Sequence, residues 1–375
     1  MHIPFNKPHY PLPGLLATYR AAIAGTISGN GLYTKKCQEF FEKRYGFRKT
    51  LLTTSCSDAL EMAALLAGIG PGDEVILPSF TFVSTANAFL MRGATLRFAD
   101  VGTTVPDIDA GEIEKLITPR TRAIAVVHYS GVACDMDPIL QLAEKHSLRV
   151  IEDAAHAADS FYKGRPLGSI GHFGAFSFHE TKNLFCGEGG MLAVNDGQFI
   201  RRAEILWEKG TNRAAFHRGE VDHYNWVDIG SSFLPSDALA AFLYSQLRIL
   251  DRIQRKRTRI WDLYYRSLKP LEDRGMLTLP VIPSYATQNG NLFFILARSG
   301  RERDDLLSFL KKKGIHAVFH YLPLHSSPYF RDKHDGRPLP NTDRFAGCII
   351  RLPFFYGLKE RQIGFITRAI RDFFK

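Results

Sequence analysis

Between residue 50 and residue 153 the chain alternates helix-like and strand-like segments, and no other feature constrains the fold as much. Ser57 to Ala67 has apolar residues at helical spacing, and Thr53, Thr54, Ser55 and Ser57 supply capping hydroxyls at its start. The turn cluster Gly68 to Asp73 follows, and Glu74 to Leu77 then reads as a buried strand closed by Pro78. The same rhythm predicts helices over 84–92, 109–117 and 138–146, and strands over 94–98, 123–128, 149–153 and 175–178. Ala123 to His128 is almost wholly apolar, the pattern of a parallel strand covered on both faces. Strand, helix and strand in this order imply right-handed crossovers and an α/β fold with a mostly parallel sheet.

At 375 residues the chain exceeds one ordinary core. A large unit over 1–245, including an N-terminal arm, and a smaller α/β unit over 246–375 are expected. The second is marked by a helical stretch over 236–268 with room for one break. Strands are expected over 292–297 and 317–321, and helices over 303–312 and 359–374. The net charge of +10 is spread along the chain, with no Lys/Arg run longer than three, so nothing marks a nucleic-acid surface. No uncharged stretch reaches membrane-spanning length, and the start lacks the charged and apolar regions of a secretory signal. The five cysteines are scattered and never spaced as Cys-x-x-Cys, which suits a reducing cytoplasm and argues against a disulfide frame.

Four features bear chemistry. Thr53 to Ser57 opens a helix, where unpaired N–H groups form an anion site, although simple capping explains the same residues. Asp153 ends an apolar strand, the place where ligands of open α/β sheets bind. Such a carboxylate either caps the next segment or keeps a pyridine nitrogen protonated. Lys182 follows the strand at Ala175 and precedes Gly187-Glu188-Gly189-Gly190; a lysine held in such a site can lose its proton and form an imine. Ser177 lies five residues earlier, within reach of a phosphate. Phe80 and Phe82 at a strand-to-helix turn can stack on a heterocycle or fill a core. His316 and His320 are four apart, but in a strand that spacing does not make the helical zinc pair, so no metal is expected. Gly68-Ile69-Gly70-Pro71-Gly72 lies between a helix and the following strand, the reverse of a dinucleotide-binding turn. The polar stretch from Trp207 to Trp226, with Arg213 and Arg218, reads either as a mobile surface loop or as a cover for a substrate.

Together the runs Leu51 to Phe89, His128 to Asp137, Val150 to Ala157, Tyr162 to Asn183 and Gly187 to Gly190 resemble the DegT/DnrJ/EryC1/StrS sugar aminotransferases. The resemblance spans essentially the whole chain. It implies the fold-type I architecture of aspartate aminotransferase and pyridoxal 5′-phosphate as cofactor, alternating with pyridoxamine 5′-phosphate. It implies a homodimer with its active sites at the interface, and amino transfer from glutamate to a nucleotide-linked keto sugar.

Residue by residue, the resemblance makes Lys182 the cofactor-bearing catalytic group and Asp153 the partner of the pyridine nitrogen. Phe82 stacks on the ring, and Cys56, Ser57 and Ser177 hold the phosphate. His156 contacts the oxygen side of the ring. Ser232 stands where many relatives carry an asparagine that reaches the neighbouring subunit's phosphate, and Cys56 replaces the commoner glycine. His320, Tyr321 and His325 are placed near the site mouth, with Arg213 and Arg218 as further substrate candidates. Relatives that dehydrate sugars carry a histidine in place of the lysine, so Lys182 favours transamination. A binding protein that retained the fold would have no need of the lysine, the aspartate and the phosphate turn together.

Overall fold

The apolar runs become strands of one sheet in the computed structural model, which describes residues 2–25 and 27–375. In chain order the strands are β1 (Lys49–Thr53), β2 (Glu74–Pro78), β3 (Thr95–Ala99), β4 (Thr121–Val127) and β5 (Arg149–Asp153). A short hairpin of β6 (Phe161–Tyr162) and β7 (Arg165–Pro166) precedes β8 (Phe173–Ser177) and β9 (Gly190–Val194). Much later come β10 (Phe294–Leu296) and β11 (Ile349–Arg351), which pair with each other. Seven strands form the large sheet in the order β1-β9-β8-β5-β4-β2-β3. All run parallel except β9, which is antiparallel to both β1 and β8.

Both faces of the sheet are covered, and alternate residues serve opposite faces. Ile76, Ile124, Val126, Val150 and Met191 join one core, with Phe41 of the helix Leu32–Tyr45 and Ile139 of the helix Met136–Lys145. Val75, Leu77, Ala123, Ala125, Ile151 and Leu192 join the other, against Ala59, Leu60, Ala63 and Leu66 of the helix Cys56–Leu66. This double coverage is why the strands are continuously apolar.

The long helical stretch breaks at Arg248 and Ile249, giving Asp237–Leu247 and Leu250–Glu272. The second helix packs with Gly300–Lys312, Glu360–Phe373, β10 and β11 around a separate core that includes Tyr264, Phe293, Ile350 and Ile366. A small cluster of Phe80, Tyr129, Phe294, Phe345 and Ile349 joins this part to the large sheet.

The strand expected over 317–321 is a correction. That segment makes one isolated bridge, between Val318 and Arg351, while Ile315 bridges to Ile3. Contacts with two different neighbours bend the chain instead of extending a ladder. β1 and β9 were not foreseen; the short run at β1 lay hidden before the capping hydroxyls, and the glycines before β9 read as a loop.

Candidate active site

The residues following β1, β2, β5 and β8 converge at one edge of the sheet, around a cavity of about 500 Å3. After β1, Ser55 accepts the Asp58 N–H at 3.1 Å and caps the helix Cys56–Leu66. Ser55, Cys56 and Ser57 line the cavity, and the Ser57 hydroxyl lies 2.6 Å from that of Ser84. Gly190 allows this turn to sit directly against the start of β9: a Cβ there would stand 2.3 Å from the Ser55 carbonyl carbon.

After β2, Phe82 precedes the helix Val83–Leu90 with its side chain 53% exposed at the cavity. Buried Thr85, one turn into that helix, donates its hydroxyl to Asp153 Oδ2 at 2.6 Å, and the Ala155 N–H donates to Oδ1 at 3.1 Å. Asp153 is thereby aimed and held at the cavity wall.

The neighbouring Glu152 explains why β5 is so firmly registered. Being one residue away it projects to the opposite face, where it is fully buried. It accepts N–H groups of Gly168, Ile170 and Gly171 at 2.7, 2.7 and 2.6 Å, and His128 Nε2 lies 2.9 Å away. The Cys134 N–H donates to His128 Nδ1 at 3.2 Å, so the imidazole proton sits on Nε2 and faces the carboxylate. Four donors replace water around a buried charge.

After β8 the chain turns through His179 and reaches Lys182, whose N–H donates to the His179 carbonyl at 2.9 Å. Burial pushes the Lys182 ammonium down from 10.5 to about 8; Cys56 and Asp153 oppose the fall and Arg351 adds to it. A substantial neutral fraction near physiological pH makes this amine a usable nucleophile and base. Asn183 anchors the turn from behind. Its amide donates to the Asn289 carbonyl at 2.9 Å and to Gln254 Oε1 at 3.2 Å, and accepts from Asn291 at 3.1 Å. Asn289 also donates to the His156 and Ala158 carbonyls, both at 2.8 Å. One amide cluster thus ties the lysine turn, the His156 segment and residues 289–291 together. His156 accepts the Ser130 N–H on Nδ1 at 3.3 Å, and burial, with the charges of Lys182 and Arg351, keeps its ring neutral.

Of the residues singled out in the sequence, Cys56, Ser57, Phe82, Asp153, His156, Ser177, Lys182, His320 and Tyr321 line this cavity. The others do not. His325 is a structural pin: Nδ1 lies 2.8 Å from the Ser79 hydroxyl and Nε2 lies 3.4 Å from Asp343. Ser232 is exposed and bridges to Glu208. Arg213 stands 3.8 Å from Glu208, and Arg218 pairs with Glu204 at 2.9 Å and Glu220 at 2.7 Å. Within one chain these two arginines are held by carboxylates outside the cavity, of which Glu204 and Glu208 are buried. Sequence reasoning missed Thr85, Phe5, Asn291 and Arg351. Thr85, one helical turn beyond Thr81 at the strand-to-helix junction, was open to suspicion; the others carry no local signal.

A model of the DegT/DnrJ/EryC1/StrS aminotransferase family matches residues 16–371. The spore coat polysaccharide biosynthesis protein SpsC of Bacillus subtilis is 34% identical over 379 aligned residues, covering 98% of this chain and 97% of that protein. The aminotransferase TlmJ from Streptoalloteichus hindustanus superposes with a TM-score of 0.91 at 28% identity, over 100% of this chain and 99% of that one. An aminotransferase from Psychrobacter cryohalolentis gives a TM-score of 0.93 at 27% identity, over 99% of each chain. A fold-type I architecture, a lysine and an aspartate at one strand edge, and matches across nearly the whole length lead to one conclusion: the chain belongs to the DegT/DnrJ/EryC1/StrS aminotransferase family of pyridoxal-phosphate-dependent enzymes.

Proposed function

We propose that this chain moves an amino group from L-glutamate to a nucleotide-linked 4-keto-6-deoxy sugar, with Lys182 as the group that carries the cofactor and transfers the proton. One observation carries the chemistry: a half-buried lysine, its ammonium lowered by desolvation to about 8, shares a cavity with a doubly hydrogen-bonded aspartate. The donor set fits pyridoxal 5′-phosphate. The Cys56 N–H and the Ser57 and Ser177 hydroxyls suit a phosphate at a helix N-terminus. Asp153 suits a pyridine nitrogen that must keep its proton, and exposed Phe82 suits a ring face. His156, with Nδ1 occupied, keeps an Nε2–H for an oxygen on the ring.

When bound, the cofactor supplies a sink for the electron pair left behind as the α-proton departs. Lys182 removes that proton from the donor and delivers it to the neighbouring reactive carbon. Asp153, fixed by Thr85 and the Ala155 N–H, would supply the negative charge that keeps the ring nitrogen protonated. His320 and Tyr321 form a further wall for the second substrate.

Family membership and the likeness to a spore coat polysaccharide biosynthesis protein of Bacillus subtilis support a sugar acceptor. In its narrowest form the reaction converts dTDP-4-keto-6-deoxyglucose into dTDP-4-amino-4,6-dideoxygalactose. That step belongs to cell-surface polysaccharide synthesis, of enterobacterial common antigen or lipopolysaccharide type. The runs Ser177 to Asn183, Glu208 to Asn212, Asp228 to Ser232 and Ala317 to His325 resemble the transaminase of that reaction. Another nucleotide keto sugar, UDP-linked or 3-keto, is the alternative.

The proposal includes a cytoplasmic homodimer and a division of the chain near residue 245. Leu12, Leu15, Leu16, Tyr19 and Ile23 expose apolar side chains along the helix Leu12–Ile23, and Trp226 is 81% exposed. Apolar surface of this extent suits burial against a second copy. That arrangement would carry the loop bearing Arg213, Arg218 and Ser232 toward the other copy's cavity. No helix among the described residues is long and apolar enough to cross a membrane.

The test is incubation with L-glutamate and a panel of dTDP- and UDP-linked keto sugars, read by mass. An amino sugar from the dTDP-4-keto substrate is expected. Amination of none of them by a protein that still shows its visible cofactor band would reject the sugar reading.

A further inference from the structure

Among the described residues no hydrogen bond or ion pair engages the Lys182 amine, so its aim is set by the backbone on either side. Before it, the Lys182 N–H is tied to the His179 carbonyl. After it comes Asn183, 5% exposed, whose amide is held by Gln254 and by a turn more than a hundred residues away, at 288–291. Lys182 also borders a second crevice, shared with Asn183, Gln246, Ile253 and Arg257. At about 20 Å3 it has room for about one water, so no ligand braces the lysine turn from that side.

The turn at 288–291 is held in place by Arg257, on the helix Leu250–Glu272. Arg257 Nε donates to the Gly290 carbonyl and Nη2 to the Asn291 carbonyl, both at 2.8 Å. These two N–H groups lie on one edge of the planar guanidinium, so a single side chain grips two successive carbonyls. Gly290 lets the turn lie flat on the helix: its φ is +58°, and a Cβ there would stand 2.8 Å from the Arg257 carbonyl carbon. The turn is also braced from within. The Gly290 N–H donates to Gln288 Oε1 at 2.6 Å, and the Asn291 N–H donates to Asn289 Oδ1 at 3.0 Å.

Arg257 is 4% exposed and forms no ion pair with an aspartate or glutamate among the described residues. Burial, with no carboxylate to oppose it, pushes the guanidinium down to about 9. A buried cation without a counter-charge is costly, so its fork must stabilise something worth the penalty. The contacts beyond the turn show what that is. Arg257 fixes the backbone at 290 and 291, residues 289 and 291 fix Asn183, and Asn183 is the residue after Lys182. Asn291 itself lines the catalytic cavity.

We infer that Arg257 is a positioning residue for Lys182: its fork sets the turn at 288–291, and through Asn183 that turn sets the aim of the amine. The assignment rests on the reading of Lys182 as the group that carries the cofactor. It places control of the amine in residues 250–291, far along the chain from the lysine itself.

Pyridoxal and pyridoxamine 5′-phosphate separate aim from general integrity. Both present the same ring and phosphate, but only the aldehyde bonds to Lys182. The full-length protein is stripped of cofactor and titrated with each, the aldehyde read by its visible band and the amine by calorimetry. Arg257→Met is expected to weaken pyridoxal phosphate binding about tenfold or more and to slow the appearance of the band similarly, with pyridoxamine phosphate affinity within about threefold. Arg257→Lys should follow it, because an ammonium does not reproduce the fork. Equal losses for the two cofactor forms, no loss for either, or full rescue by lysine overturn the inference. Should Arg257→Met fail to melt cooperatively, Asn291→Ala takes its place, since it removes the donor to Asn183 and leaves Arg257 intact. The same split is expected at smaller size, and its absence refutes. A parent protein whose band borohydride does not fix to Lys182 removes the Lys182 reading and this inference with it. A band so fixed, with variants that match the parent, removes this inference alone.

Discussion

Replacing Lys182 with methionine is expected to stabilise the cofactor-free protein at neutral pH, and to lose that advantage in alkali. The perturbation keeps an unbranched apolar chain close to the length of the lysine stem and removes the charged amine. Burial lowers the Lys182 ammonium from 10.5 to about 8 in the folded chain. Between those two pH values the unfolded chain binds a proton at this site that the folded chain does not, so stability rises with pH. Below pH 8 both states are charged, and the folded state bears the full cost of a desolvated ammonium. At about 1.4 kcal/mol per pH unit the fall corresponds to about 3.4 kcal/mol, and water around a half-buried side chain reduces this to about 2 kcal/mol. Unfolding entropy of about 2 cal/mol/K per residue converts that into a rise in Tm of about 2–3 °C for a chain of 375 residues. The assay is denaturant or thermal unfolding of both proteins, stripped of cofactor, at pH 7 and again near pH 10.5, the ordinary lysine value. The variant should lead at pH 7 and the gap should close at the higher pH. A variant no more stable than the parent at pH 7, or a gap that ignores pH, would refute burial as the cause of the lowered proton affinity.

Three further outcomes are expected. Thr85→Val removes the 2.6 Å donor to Asp153 while keeping shape, and should weaken cofactor retention about tenfold, with Thr85→Ser close to wild type; equilibrium dialysis reads this. Glu152→Gln turns an amide NH2 toward groups that are themselves donors, and should cost about 2–5 kcal/mol in denaturant unfolding, since four donors lose part of their acceptor. Gly190→Ala places a methyl 2.3 Å from the Ser55 carbonyl carbon, so β9 and the turn at Ser55 and Cys56 must separate. Loss of at least about 1 kcal/mol of stability together with weaker cofactor retention is the expected result.

Several side chains of the site were readable because their chemistry is announced locally. Asp153 ends a strand that is buried on both faces and Lys182 follows another by five residues, and a polar group beyond the carboxyl end of such a strand has one open direction to face. The hydroxyls at Ser55 and Ser57 mark a helix start for the same reason that suits them to an anion. His325 misled: a histidine in a polar turn resembles a mouth residue, but Ser79, distant in sequence, holds it. The segment over 317–321 misled in a different way, because apolar alternation states a preference for extension and says nothing about whether a partner strand runs alongside.

By itself the sequence determined the layered α/β fold, the edge on which chemistry occurs, and the lysine and aspartate that face each other there. The fold follows from periodicities of two and 3.6 residues, which are local properties of the backbone; the lysine and the aspartate stood out through the family resemblance of the motifs around them. Only the tertiary structure decided that Thr85 holds Asp153, that Asn183 is locked to Asn289 and Asn291, and that Arg351 shares a cavity with Lys182. Those contacts join residues 68 to 169 positions apart, and a pairing over such distances is set by how helices and strands pack, not by the spacing of residues along any one of them.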